Sequence, residues 1–103
     1  MKHFLVQIDY KVPVESLGDS VRLHREFLQT GYEKGWLLMS GPRNPATGGI
    51  VVARAPSQQA LEDFFNDDPY KLSGLATHTV VEFNPVKHQE FMSTWINPEA
   101  SLK

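Results

Sequence analysis

An α+β fold of element order β-α-β-β-α-β is predicted for this 103-residue chain by three observations. Alternating apolar and polar residues mark a strand near each end, at 3–10 and 77–86. Two segments of helical apolar spacing lie between them, and two short apolar runs joined by a Gly- and Pro-rich turn sit in the middle. That order is the split βαβ, or ferredoxin-like, arrangement: an antiparallel four-stranded sheet with two helices on one face.

The first strand, HFLVQIDY, places Phe4, Val6, Ile8 and Tyr10 on one side and His3, Leu5, Gln7 and Asp9 on the other. Pro13 breaks it, and Ser16 or Asp19 caps a helix running to about Gly35. At the helical period Leu17, Val21, Leu28 and Tyr32 share an apolar face with Phe27 at its edge, while Arg22, Arg25, Glu26, Gln29 and Glu33 take the opposite arc. His24 falls between Val21 and Phe27, so the titratable side chain on the buried face is a histidine.

WLLMSGP (36–42) reads as a strand stopped at Gly41-Pro42, RNPATGG as a turn, and IVVARA (50–55) as the third strand. Ser57 then caps a second helix whose apolar face is Ala60, Leu61, Phe64 and Phe65. THTVVEFNPV (77–86) closes the sheet. Phe91, Met92, Trp95 and Ile96 follow at helix-like spacing, in a segment that either caps the sheet or reaches to a second subunit. One domain over 1–96 is expected, with 97–103 a flexible tail.

Composition narrows the function classes. Apolar residues at 41% and charged ones at 21% are globular proportions. Ten Lys and Arg against twelve Asp and Glu, with no basic block, lack the concentrated cationic footprint that nucleic acid requires. Cysteine is absent, which removes disulfides and thiolate chemistry. No signal-peptide pattern and no membrane-length apolar run occur, so a cytoplasmic protein is expected. Both sheet faces carry apolar residues, Leu5, Val81 and Phe83 among them, and a homodimer covering the second face is expected.

His24 has two readings: a core histidine held neutral by a backbone carbonyl, or a general base whose tautomer a carboxylate fixes. Asp68 is the candidate carboxylate. Continuing the second helix by one turn puts it between Phe64 and Leu61, facing inward, with Pro69 placing it at that helix's C-cap. The competing reading makes Asp67 and Asp68 solvated turn formers at a crowded acidic helix end. The four histidines show no metal-ligand spacing, and the Gly-rich turn lacks a phosphate-binding pattern, so no metal or cofactor is expected.

Asp9 at the end of the first strand, Arg22 and His24 in the first helix, Gly41-Pro42, Asp68-Pro69-Tyr70 and Gly74 together resemble the YCII-related family of small dimeric α+β-barrel proteins. The resemblance spans residues 1 to about 86. It implies a sheet-mediated dimer, no cofactor, and His24 and Asp68 as the catalytic pair, with Asp9, Gly41, Pro42 and Tyr70 shaping a small-molecule pocket. The arginine such chains place three positions before the histidine is replaced here by Val21, and Arg22 stands one step nearer, on the polar arc. The activity implied is lyase or isomerase chemistry, a proton transfer on a hydroxylated aromatic or lactone-like substrate. The alternatives are a non-catalytic ligand- or partner-binding module with a structural His–Asp pair, and a cofactor-independent oxygenase with Trp36 and Trp95 lining an apolar pocket.

Overall fold

Four strands form one antiparallel sheet in the computed structural model, which describes residues 1–99. They are β1 (Lys2–Tyr10), β2 (Leu37–Pro42), β3 (Gly48–Ala55) and β4 (Ala76–Phe83), in the order β2-β3-β1-β4. Helices α1 (Ser20–Glu33) and α2 (Gln58–Phe65) connect them as predicted, and two single-turn helices follow, α3 (Pro69–Leu72) and α4 (Ser93–Ile96). The alternation read in β1 sorts its faces. Phe4, Val6 and Ile8 are buried against the helices together with Val51, Ala53, Leu28, Leu61 and Phe65.

Of the two caps offered for the first helix, Asp19 is the one used: α1 begins at Ser20, because a 3-10 turn at Val14–Ser16 and a left-handed Gly18 (φ 56°) occupy the preceding residues. Leu17, before the helix, is buried in the core. Two boundaries differ from the sequence reading, each for a local reason. β4 starts one residue earlier than expected and stops at Phe83, short of Pro85. The second difference matters most. α2 ends at Phe65, and the chain restarts as α3, so Asp68 is an N-cap and not the C-cap expected for α2. Proline disfavours helical geometry in the residue before it, and Asp68 is accordingly extended (φ −62°, ψ 124°), while Pro69 takes the first helical position, where its missing N–H costs nothing.

The two ends of the core are fixed by close approaches. A Cβ at Gly31 would stand 2.7–2.8 Å from Leu37 and Phe64, so α1 rests directly on β2 and α2 there. At Gly48 it would stand 1.9 Å from the Ile8 carbonyl oxygen, which leaves glycine as the residue that lets β3 meet β1 at this point.

On the sheet's other face, Val52, Leu5 and Val81 stand in register across β3, β1 and β4. One end of that face is covered by the C-terminal segment of the same chain. The Arg54 guanidinium lies 3.8 Å from the Trp95 ring centre and donates to the Trp95 carbonyl at 2.9 Å. His3 hydrogen-bonds to the backbone of Ile96, and burial holds its pKa down. Of the tail expected at 97–103, residues 100–103 lie outside the described residues. No helix among the described residues is long and apolar enough to cross a membrane.

Candidate active site

Asp68 is the centre of the site. Its side chain is completely buried, and every hydrogen bond it makes is an acceptance. Oδ1 accepts from the His24 ring at Nδ1 (2.8 Å) and from the Tyr70 backbone amide (3.0 Å). Oδ2 accepts from the His78 ring at Nε2 (2.8 Å). Burial pushes the carboxyl's pKa up, but the hydrogen bonds from His24, His78 and the Tyr70 amide outweigh it and hold it below the usual aspartate range. The group is therefore a carboxylate, which can only accept, so His24 carries its proton on Nδ1 and His78 on Nε2.

Three elements deliver these groups. His24 comes from the buried face of α1, Asp68 from the break between α2 and α3, and His78 from β4, where it sits opposite Ile8 in the sheet. The Asp-Pro-Tyr sequence is what aims the carboxylate. Capping α3 requires Oδ1 to turn back onto the Tyr70 amide, and that orientation presents the carboxylate to both imidazoles. The acids crowded at Glu62, Asp63 and Asp67 play no part in this: Glu62 and Asp63 hydrogen-bond to Gln58 and Gln59 on the helix surface.

His24 Nε2 has no hydrogen-bond partner among the described residues, and the residue lines a cavity of about 490 Å³. Tyr70 forms part of the same wall, its ring stacked on the imidazole at 4.0 Å and 11°. Burial, then the neighbouring Tyr10, pushes the Tyr70 hydroxyl up to about 12, so it stays protonated and able to donate near neutral pH. Gly41 and Pro42 also line the cavity.

Asp9 lies away from the cavity. By the strand's alternation it faces away from Ile8 and Tyr10, onto the open side of the sheet, and is not among the cavity's lining residues. Its carboxylate is paired with Arg43 at 2.7 Å, beside the β2–β3 turn. Trp36 and Trp95, the residues on which the oxygenase reading rested, also lie off the cavity: Trp36 packs edge-on against Phe64 under Lys34, and Trp95 covers Arg54. Arg22 points to solvent, bonded to Asp19 and Glu26.

Two residues of the site were not found from the sequence. His78 shows no metal-ligand spacing, and its phase in β4 with Ala76 and Val80 is the signal that it faces inward. Arg25 was assigned to the solvent arc, but it lines the cavity. Among the described residues no cluster of three or more metal-ligating side chains is placed to hold a metal. In the His24–Asp68–His78 set the facing nitrogens and oxygens are spent on one another.

The fold and site together define a small ferredoxin-like α+β protein that holds an imidazole–carboxylate pair beneath an apolar cavity. The YCII-related domain matches residues 1–84, and the chain belongs to the YCII-related family. No curated protein matches it in sequence. Among solved structures it is similar to the 5-chloro-2-hydroxyhydroquinone dehydrochlorinase TftG of Burkholderia phenoliruptrix AC1100, in complex with 2,5-dihydroxybenzoquinone, with a TM-score of 0.69 and 20% identity over 86% of this chain and 97% of that one. Muconolactone isomerase is similar at a TM-score of 0.63 and 20% identity, covering 85% and 92% of the two chains. An antibiotic biosynthesis monooxygenase follows at 0.55 and 14%, covering 82% and 99%. At these identities the likeness is one of fold.

Proposed function

We propose that the protein is a lyase or isomerase that moves a proton on a small oxygenated ring, with His24 as general base and Asp68 as its positioning carboxylate. The observation that carries this reading is the buried 2.8 Å contact between His24 Nδ1 and Asp68 Oδ1 at the wall of a cavity. A carboxylate on Nδ1 fixes the tautomer, leaves the Nε2 lone pair available to accept a proton, and stabilises the imidazolium that results. The Tyr70 ring stacked beneath adds a cation–π contribution to that imidazolium.

Elimination and isomerisation share the first step, transfer of a ring or hydroxyl proton to Nε2. In a dehydrochlorination His24 returns that proton to the chlorine-bearing ring carbon, giving the keto tautomer, and then takes a second hydroxyl proton as its electron pair expels chloride and leaves a quinone; in an isomerisation His24 returns the proton to a different carbon of the same molecule. The similar dehydrochlorinase and isomerase act on substrates of these two kinds, which supports the choice of ring. The reading is tested by incubating the protein with chlorinated hydroxyhydroquinones and with unsaturated lactones, following chloride release and ultraviolet absorbance. Turnover of a member of either panel is expected. Inertness toward both, in a folded protein that still binds them, favours the ligand-binding alternative.

The chain acts, on this reading, as a homodimer through the open sheet face. The Val52–Leu5–Val81 row and the half-exposed Phe83 form an apolar surface that a lone protomer leaves in water, and a second copy is its natural cover. Sedimentation is expected to give twice the chain mass, and Val81→Asp is expected to halve it. A wild-type protein sedimenting as a monomer would sink this proposal.

A further inference from the structure

The cavity wall is mainly apolar, with Ile8, Leu17, Val21 and Leu28 among its lining, yet it includes one permanently charged side chain, Arg25. The chain has four arginines, and the other three are engaged: Arg22 with Asp19 and Glu26, Arg43 with Asp9, Arg54 with Gly35 and Trp95. Arg25 has no hydrogen bond or ion pair among the described residues. It lines the same cavity as the Tyr70–His24 stack.

An unpaired guanidinium beside an apolar wall has a specific complement. Its planar fork matches an anionic oxygen pair, and the apolar lining matches the body of a ring. We infer that Arg25 is the anion-recognition residue of the cavity, and that the ligand is a small ring compound bearing a carboxylate or an ionised ring oxygen. This inference rests on the reading of the cavity as the substrate site. Under it the anionic group docks at Arg25, one helical residue from His24, and so turns a neighbouring ring position toward Nε2.

Position on α1 explains how one residue serves the cavity while its neighbour is buried. Arg25 lies roughly 100° around the helix from His24, just beyond Tyr32, at the border of the apolar face and not opposite it. A long side chain at such a border can run its stem along apolar surface and keep its head at the cavity mouth.

Binding separates this inference from the catalytic one, because it needs no turnover. Calorimetric titration would compare benzoate, 4-nitrophenol held as its anion, and benzyl alcohol as the neutral ring. The wild type is expected to prefer one or both anions over benzyl alcohol by roughly tenfold, and the preferred anion says which oxygen the site takes. Arg25→Gln, at an exposed and unpartnered position, is expected to keep the fold and remove the preference, and Arg25→Lys to restore part of it. His24→Asn is expected to keep it, so that loss of catalysis with retained anion selectivity leaves Arg25's role standing. Equal binding of anions and benzyl alcohol by the wild type, or an unchanged preference in Arg25→Gln, overturns the inference.

Discussion

His24→Asn is expected to lower turnover about 10²–10⁴-fold, the usual contribution of a positioned general base, in a protein that remains folded. Asparagine is the informative replacement because its amide nitrogen falls near the place of the ring's Nδ1. It can still donate to Asp68 Oδ1, so the buried carboxylate keeps its partner while the Nε2 lone pair disappears. His24→Ala would remove both at once and mix a loss of chemistry with a buried unmet acceptor. The measurement is a pair: steady-state turnover on whichever substrate the panel identifies, and urea unfolding of both proteins. Activity within a few-fold of wild type would end the general-base reading. A variant that unfolds far more easily than one lost ring stack explains would show that the pair is structural first.

Removing the carboxylate is expected to have the largest effect on stability. In Asp68→Ala three donors, at His24 Nδ1, His78 Nε2 and the Tyr70 amide, lose their acceptor in a place with no access to water. Each buried donor left unmet costs about 1–3 kcal/mol, so the loss is a large part of the roughly 5–15 kcal/mol that holds a domain folded. Asp68→Asn retains an oxygen for His24 and the Tyr70 amide and is expected to lose less.

The pH dependence gives an independent check on the same group. The folded pKa of Asp68 lies below the ordinary aspartate value of 3.8. Its contribution is therefore complete above that value and is lost as pH falls through the depressed folded value, where the native carboxylate is finally protonated. Wild type and Asp68→Asn should thus differ most near neutrality and converge in acid. Urea unfolding at several pH values measures the gap. A gap that stays constant into the acid range would mean that the carboxylate is not ionised in the native protein.

Much of the fold was legible because strands and helices announce themselves by period. The alternation of Phe4, Val6 and Ile8 and the helical phase of His24 both come from geometry repeated over many residues, and both hold in the structure. What the period could not show is where one helix stops and another begins. Helical phase directed Asp68 inward along a turn of α2 that does not exist; the inward direction holds, but its cause is an Asx cap on α3 forced by Pro69. That also resolves the oddity of a carboxylate in an acidic helix end. Asp68 belongs to the start of a turn, where backbone N–H groups welcome negative charge.

The remaining site residues were hidden for different reasons. His78 was tested against one chemistry, metal ligation, when its strand phase beside Ala76 and Val80 already placed it on the helix side of the sheet. Arg25 was hidden by treating a helix as two-faced. A cavity opens along the border between faces, and border residues with long side chains contribute to it. Asp9, a motif position carried over by resemblance, faces the other side of the strand and pairs with Arg43.

The two imidazoles that meet on Asp68 lie 44 and 10 residues from it along the chain. No short segment contains the site, and the longer loop must close before the first of these bonds exists. Half-folded chains therefore hold no fraction of the His24–Asp68–His78 arrangement. Its assembly after dilution from denaturant should track completed tertiary structure and lag behind helix formation, which makes these bonds a clock for the last step of folding.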